Sequence, residues 1–191
     1  MSPARCPWAD SSPEMARYHD EEWGRPSHDD RHLFEMLLLE GAQAGLSWAT
    51  ILRKRGSYEK AFEGLDPVVV ARYGDREIAR LLSDSGIVRN RLKIRSAISN
   101  AQSFLAVQEE CGSFATYLWS FVGGRRVINH PGTLAEVPVR TELSDKFSKD
   151  LRRRGFNFVG STIVYSYLQA VGVVDDHLSS CDRKGRSPRE E

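Results

Sequence analysis

Two cysteines and two histidines near the ends of the chain have the side-chain types of a metal site. Cys6 and His19 lie near the N-terminus; His177 and Cys181 lie near the C-terminus, at a spacing that places both on one face if the segment is helical. Two thiolates and two imidazoles fill a tetrahedral Zn²⁺ shell and leave no open position, so such a metal would be structural. The alternative is inert core cysteines and ordinary hydrogen-bonded histidines, and the spacing alone leaves both interpretations open.

Glu40 is a carboxylate at an unfavourable position, because it ends a leucine-rich predicted helix and precedes Gly41. A negative charge there opposes the helix dipole, so another interaction must favour it. The first fifty residues also concentrate aromatic side chains, namely Trp8, Tyr18, Trp23 and Trp48. Either Glu40 faces water and the rings pack in the core, or together they form a binding pocket.

A glycine-bounded turn separates two predicted helices late in the chain. Gly155 and Gly160 permit a tight reversal, Phe158 can wedge between the helices, and the second helix begins near Ser161 and Thr162. Its N-terminal N–H groups point outward and form an anion site that suits a DNA phosphate. The alternative is an ordinary helix connection with a glycine cap.

A second glycine-led turn enters a basic helix that carries Arg89, Arg91 and Lys93, with no acidic residue between positions 86 and 107. Such a charge run is usually a solvated face, but its place beside the turn favours a surface for DNA. The net charge of +1 excludes a uniformly basic nucleic-acid binder. Residues 1–40, however, hold nine acids and four bases (−5), and the remainder holds 17 acids and 23 bases (+6).

These residues must be positioned by helices, because apolar side chains recur at helical spacing nearly throughout. The pattern predicts helices at residues 31–40, 47–55, 75–84, 89–110, 114–121, 144–154 and 162–172, and a further one that starts at Asp66-Pro67. No sustained two-residue alternation predicts a sheet. We therefore expect a mainly α, irregular helical bundle.

Length and composition set the domain organisation. A chain of 191 residues, 40% hydrophobic and 28% charged, is typical of one globular domain and excludes a disordered chain. We expect residues 1–182 to form a single domain of two helical lobes that share a cleft, and residues 183–191 to form a polar, frayed tail. Three cysteines, no leader and no long apolar run predict a cytoplasmic protein without a membrane span.

Several short motifs occur in a fixed order along the chain. They are Tyr18-His19-Asp20, Glu22-Trp23-Gly24, Leu33-Phe34-Glu35-Met36, Leu39-Glu40-Gly41, Gln43-Ala44-Gly45-Leu46-Ser47-Trp48, Trp119-Ser120-Phe121-Val122, Arg154-Gly155-Phe156 and Phe158-Val159-Gly160. Each is weak alone, but their joint order closely resembles the DNA-3-methyladenine glycosylase I family, within the helix–hairpin–helix superfamily of DNA glycosylases.

That resemblance implies an enzyme that flips 3-methyladenine out of alkylated double-stranded DNA and hydrolyses its N-glycosidic bond. The products would be free 3-methyladenine and an abasic site, and the protein would be a monomer. The resemblance also implies one structural zinc per chain, with no redox or organic cofactor. Its ligands would be Cys6, His19, His177 and Cys181.

The resemblance assigns the pocket residues as well. Glu40 would contact the edge of the cationic base, Trp48 would stack on it, and Tyr18 would add a hydrogen bond. Trp8 and Trp23 would wall the pocket. Gly45 and Leu46 precede Trp48 and would enter the gap that the flipped base leaves.

The chain departs from the family at Asp175, where relatives usually carry asparagine. Asp175 is either a catalytic carboxylate or an acid that orients His177. After the hairpin the chain reads Gly160-Ser161-Thr162, without the lysine that bifunctional glycosylases use as a nucleophile, so we expect no lyase activity.

Two other functions compete with this one. The first is a non-catalytic DNA-binding module that keeps the hairpin and the zinc. Intact Tyr18, Glu40 and Trp48 argue against it. The second is a zinc hydrolase, which needs an open coordination position that a Cys₂His₂ set does not provide.

Overall fold

The computed structural model describes residues 4–185 of the protein, and within that range the chain is mainly helical, as the sequence predicts. The helices are α1 (Pro13–Glu21), α2 (Asp30–Gln43), α3 (Trp48–Ala61), α4 (Pro67–Val70), α5 (Asp75–Ser83), α6 (Arg91–Cys111), α7 (Phe114–Ser120), α8 (Glu142–Arg153) and α9 (Ser161–Ala170). Short 3₁₀ helices span Pro7–Ser11, Glu63–Leu65 and Leu134–Glu136.

Side-chain caps set several of the helix starts. Asp29 accepts a hydrogen bond from the backbone of α2, Ser47 from that of α3 and Thr141 from that of α8. Asn90 accepts hydrogen bonds from the backbone N–H groups of Leu92 and Lys93. Because an N-cap residue lies outside the helical backbone, α6 begins at residue 91 rather than at the predicted residue 89.

Helix α2 is the centre of the core. It packs against α3, α6, α7 and α9, which explains why its side chains are apolar on most sides. Leu33, Phe34 and Leu39 are fully buried, and the Tyr167 hydroxyl of α9 donates to the Leu33 carbonyl at 3.2 Å. The burial of Glu40 in the last turn of α2 therefore follows from the position of the whole helix.

Helix α1 and a short pair of strands are absent from the sequence prediction. Helix α1 has few apolar residues, so periodicity does not reveal it, although Ser12 caps it and Pro13 starts it. A short parallel pair joins β1 (Val127–Ile128) to β2 (Val174–Asp175), with Val127 opposite Val174. Strands of two residues are too short to show alternation.

The histidine and cysteine near the C-terminus do not lie on a helix. His177 and Cys181 lie in the loop and turn after β2, so the condition for a shared helical face is not met. Residues 183–185 pack back on the fold instead of fraying, because Gly185 N donates to Asp175 at 2.9 Å. Residues 186–191 of the expected tail lie outside the described residues. None of the helices between residues 4 and 185 has the length and apolar character needed to cross a bilayer.

Candidate functional site

A pocket of about 450 Å³ lies between α1, the junction of α2 with α3, and α9. It contains all five residues that the sequence assigns to the pocket. The lining side chains are Trp8, Met15, Tyr18, Trp23, Glu40, Gln43, Trp48, Leu134, Val137, Pro138, Val139, Thr162, Tyr165, Ser166, Gln169 and Asp176. Residues from the N-terminal half thus form one wall of the pocket, and residues from the C-terminal half form a second wall.

Glu40 is a buried carboxylate whose hydrogen bonding is incomplete. Its side chain is 4% exposed, and its Oε2 atom has no hydrogen-bond partner among the described residues. Burial raises the pKa of Glu40 to about 8. A carboxylate held this way favours a ligand that brings a hydrogen-bond donor or a positive charge.

Aromatic rings surround this carboxylate. The Tyr18 and Trp48 rings are 5.4 Å apart between centroids, and the Trp48 indole nitrogen is buried without a partner in the described structure. Burial raises the pKa of Tyr18 well above its usual range, and the charge of Glu40 adds to the effect. Tyr18 therefore stays a neutral hydroxyl, and the pocket suits a flat, cationic ring.

Helix α9 and the loop before α8 form the wall that sequence reasoning missed. Thr162, Ser166 and Gln169 are spaced i, i+4 and i+7 on an otherwise apolar helix, a signal that was present in the sequence. The loop wall of Leu134, Val137, Pro138 and Val139 gives no such signal. Its contact with the pocket depends on tertiary structure alone.

Asp175 and Asp176 face different sites. The Asp176 carboxylate, 2% exposed, lines the pocket and accepts hydrogen bonds from Tyr165 (2.6 Å), Gln169 (2.7 Å) and Asn129 (2.7 Å). Asp175 is not among the pocket-lining residues in the described range. Its carboxylate contacts His177 Nδ1 at 2.9 Å, which is the geometry of an acid that orients the histidine.

The chain termini meet at a buried cysteine–histidine cluster, the candidate metal site. The ligand atoms of Cys6, His19 and Cys181 all lie within 4.8 Å of one another. His177 adjoins them: its ring centroid is 4.9 Å from that of His19, and its Nε2 atom is buried without a partner in the described structure. Burial raises the pKa of Cys6 to about 12 and lowers that of His19. The histidine thus favours its neutral form, and a thiolate here requires a cation beside it.

A carboxylate contacts the Nδ1 atom of each of the two imidazoles. Asp20 contacts His19 Nδ1 at 2.9 Å, and Asp175 contacts His177 Nδ1 at the same distance, which leaves the Nε2 atom of each ring available as a ligand. This arrangement is usual around metal-bound histidines. His19 Nε2 lies 3.4 Å from the Cys181 sulfur, whereas His177 lies beside the three clustered ligand atoms and is not one of them. Gly24 permits the close approach of His177, because a Cβ atom at Gly24 would lie 2.7 Å from the imidazole.

The turn between α8 and α9 is a closely packed reversal. Gly155 and Phe158 have positive φ angles of 92° and 55°. The Asn100 side chain makes two hydrogen bonds to the Asn157 backbone: it accepts from the N–H group at 2.7 Å and donates to the carbonyl at 2.9 Å. Ser148 donates to the Val159 carbonyl at 2.6 Å. The start of α9, which follows Gly160, is therefore fixed against α8.

A basic groove of about 370 Å³ begins at this turn. It is lined by Arg140, Asp145, Ser148, Lys149, Arg152, Ser161 and Thr162. The Ser161 hydroxyl is 2.8 Å from that of Ser144, whereas Thr162 lines both this groove and the pocket. The groove and the pocket therefore adjoin at Thr162.

The remaining predicted contact residues lie on the α2–α3 loop and at the start of α6. Gly45 has a φ of 78°, and Leu46 next to it is 41% exposed at the surface. Arg89 and Arg91 are exposed. Lys93 instead turns inward, and its ammonium donates to the carbonyls of α2 residue 42 and of residue 44.

Comparison with known proteins gives one consistent result. The sequence model of the methyladenine glycosylase family matches residues 8–184. The chain is 46% identical to DNA-3-methyladenine glycosylase 1 of Escherichia coli over 177 residues, 93% of this chain and 95% of that protein. It is 44% identical to the DNA-3-methyladenine glycosylase of Haemophilus influenzae over 181 residues, 94% and 97% of the two chains.

A solved structure agrees with the sequence relatives. It describes 3-methyladenine recognition by 3-methyladenine DNA glycosylase I from Staphylococcus aureus, and it superposes with a TM-score of 0.92 at 36% identity. The match covers 95% of this chain and 97% of that one.

Proposed function

The chain belongs to the methyladenine glycosylase family, and we propose that it is a DNA glycosylase that removes 3-methyladenine from alkylated duplex DNA. It hydrolyses the N-glycosidic bond, releases the free base and leaves an abasic site. The observation that carries this proposal is the buried Glu40 carboxylate, with one unpartnered oxygen, inside an aromatic pocket.

Recognition depends on the charge of the lesion. Methylation at N3 makes the purine cationic, and an indole such as Trp48 attracts a stacked cation by about 0.5–2 kcal/mol. A cation beside Glu40 also favours its ionised form, against the burial that raises its pKa. Carboxylate and base therefore stabilise each other's charge, and neutral adenine gains neither interaction. The Tyr18 hydroxyl adds a hydrogen bond to the base edge.

The chemistry needs little proton transfer to the leaving group. The cationic base already withdraws electrons from the bond between sugar C1′ and N9, and that electron pair leaves with the base. Water then forms the new bond to C1′ and loses a proton. The protein contributes by holding the flipped nucleotide in place and by placing negative charge near the developing sugar cation.

Flipping a base costs a few kcal/mol, roughly, and less for a damaged base. We assign the α8–α9 turn, with Gly155, Phe158 and Gly160, to the helix–hairpin–helix class. The N–H groups at the start of α9 would bind a phosphate of the lesion strand. Arg89 and Arg91 would bind phosphates elsewhere, and Gly45 and Leu46 would enter the gap in the duplex.

The enzyme is monofunctional in this proposal. The first turn of α9 carries Ser161 and Thr162 and no lysine, and the Ser161 hydroxyl already contacts Ser144. A Schiff base with the sugar would need an amine there. Borohydride reduction during turnover should therefore trap no protein–DNA adduct, and a trapped adduct would contradict this part of the proposal.

We further propose that Cys6, His19, His177 and Cys181 bind one structural zinc ion. The donor set fits Zn²⁺, and the buried Nε2 of His177 has no partner within the described residues, so it is available as the fourth ligand beside Cys6, His19 and Cys181. When bound, the metal ties the two ends of the chain together and takes no part in the reaction.

We also expect a cytoplasmic monomer, which sedimentation and cell fractionation would test.

The deciding experiment incubates the protein with duplex DNA methylated by an SN2 agent and identifies the released bases by chromatography. Release of 3-methyladenine without strand cleavage is the expected result. DNA binding without release would instead indicate a non-catalytic module, and hydrolysis of other bonds would indicate a zinc hydrolase. Glu40→Gln is the matched variant. It keeps the shape of the side chain and removes its charge, so release of 3-methyladenine should fall.

A further inference from the structure

Lys93, on the first turn of α6, lies beside the end of α2 rather than facing solvent. Its ammonium donates to the Ala42 carbonyl at 2.8 Å and to the Ala44 carbonyl at 2.6 Å. Burial lowers the pKa of Lys93. The exposed Arg91, two residues earlier on the same turn, differs from it in this respect.

The Ala42 carbonyl is in the last turn of α2, and the Ala44 carbonyl is in the short segment that joins α2 to Ser47, the N-cap of α3. In this segment Gly45 adopts a positive φ of 78°, and Leu46 N donates to the Gln43 carbonyl at 2.6 Å. The last carbonyls of a helix have no partners within it, and a lysine there satisfies them and opposes the negative end of the dipole. Lys93 thus fixes the backbone that presents the exposed Leu46.

We propose that Lys93 is a positioning residue, which holds the α2–α3 segment so that Leu46 can enter the gap opened by base flipping. The inference rests on the proposed function, and it replaces the phosphate contact that the sequence suggested for Lys93. An ordered loop matters because a flexible Leu46 would lose conformational freedom on insertion, and that cost would weaken every flipped complex.

The first test separates positioning from phosphate contact by salt dependence. The slope of log K against log [salt] is negative, and each lost phosphate contact reduces its magnitude by roughly 0.9. Lys93→Met should keep the wild-type slope, while single-turnover excision from duplex DNA falls on the order of tenfold to a hundredfold. Arg91→Met is the matched control and should make the slope less steep. A less steep slope for Lys93→Met, or excision at the wild-type rate, would overturn the proposal.

A second test asks whether Lys93 acts through Leu46. In a double-mutant cycle, Lys93→Met should have little further effect once Leu46→Ala has removed the inserted side chain. Independent, additive losses would show that Lys93 acts elsewhere. Affinity for free 3-methyladenine should stay close to wild type in Lys93→Met, because the free base needs no gap to be filled, and a large loss of that affinity would contradict the loop-specific role.

A third measurement does not depend on excision. A duplex with an abasic-site analogue and 2-aminopurine opposite it reports insertion into the gap by fluorescence. Lys93→Met should bind this duplex with a reduced fluorescence change. A fluorescence change equal to that of the wild type refutes the proposal for Lys93, whether or not the wild type releases a base. Failure of the wild type to release any base would refute only the proposed function. If Lys93→Met fails to fold, Lys93→Arg keeps a charged donor for the two carbonyls and should retain the fluorescence change, and loss of that change in a folded Lys93→Arg would overturn the proposal.

Discussion

Tyr18 and His19 are consecutive on α1, yet Tyr18 lines the pocket while His19 Nε2 faces Cys6 and Cys181. The same alternation recurs at the other end of the chain, where Asp176 lines the pocket and His177 adjoins the cluster. Trp8 touches both sites, with its ring centroid 6.4 Å from Tyr18 and 5.2 Å from His19. The candidate metal site therefore supports two walls of the pocket.

Loss of the metal should loosen the pocket. Cys181→Ser removes one thiolate, so we expect the zinc content to fall from one per chain and the melting temperature to drop by several degrees. Affinity for free 3-methyladenine should fall as well, because α1 and the segment after β2 lose their common anchor. Elemental analysis, calorimetry and base titration measure the three effects. Cys111→Ser is the matched control, since Cys111 lies at the end of α6 outside the cluster. Wild-type zinc content in Cys181→Ser would contradict the assignment.

Glu40→Gln should stabilise the protein at high pH while it weakens base binding. The pKa of Glu40 rises from 4.5 to about 8 on folding, so the folded state holds the proton more tightly and the free energy of unfolding falls as pH increases between those values. Glutamine removes this dependence, with a gain on the order of a few kcal/mol at most near pH 8 and little near pH 4. Urea unfolding across this range measures it.

The control for this pH experiment is Glu109→Gln, at an exposed position on α6. It should leave the stability profile unchanged. An equal gain at all pH values in Glu40→Gln would show that the burial of its charge has no role.

Trp48→Ala should weaken binding of a duplex that carries a non-hydrolysable analogue of the cationic 3-methyladenine nucleotide more than binding of the same duplex with neutral adenine. The loss of the indole removes a cation–π attraction of about 1–2 kcal/mol, which corresponds to roughly tenfold in affinity. Trp48→Phe should lose less, because a smaller ring still stacks. Tyr18→Phe, which removes only a hydroxyl, tests the hydrogen bond separately. Titration calorimetry with both duplexes decides the point, and equal losses for the two duplexes would count against charge recognition.

Asp175→Asn and Asp176→Asn should have different consequences. The first removes the negative charge beside His177 while it keeps an oxygen acceptor, and it should weaken zinc affinity by at most roughly a hundredfold, measured by competition with a chelator. The second disturbs the contacts that hold Tyr165 and Gln169 at the pocket and should slow single-turnover excision. If Asp175→Asn slowed excision while it kept its zinc, Asp175 would be catalytic after all.

Asn100→Ala should weaken DNA binding without a change in the pocket. Asn100 is 4% exposed and bonds both backbone groups of the exposed Asn157, so its truncation removes two hydrogen bonds at a net cost of about 0.5–1.5 kcal/mol each. Urea unfolding and duplex binding should both show the loss, and free-base affinity should not. Asn100→Asp keeps the acceptor and should fall between the two. Normal duplex binding in a destabilised Asn100→Ala would show that the turn does not contact DNA.

Helical periodicity and motif order allowed much of this protein to be read from its sequence. The mainly helical class and the family are confirmed. Both could be predicted because a long apolar face, such as that of α2, and a fixed order of motifs are local properties of the chain. The positions of Tyr18, Glu40 and Trp48 were also predicted as one group. The predicted start of α6, at residue 89, was wrong by two residues, because Asn90 caps the helix and the helix begins at residue 91.

The sequence by itself determined which side chains are available for chemistry: a carboxylate that helix physics disfavours, clustered aromatic rings, and cysteines and histidines at the chain ends. Only the tertiary structure decided where they point. It placed Asp176 at the pocket and Asp175 behind His177, turned Lys93 inward to the end of α2, and brought the loop at residues 134–139 to the pocket. These choices depend on contacts between residues far apart in the chain, which local periodicity cannot encode.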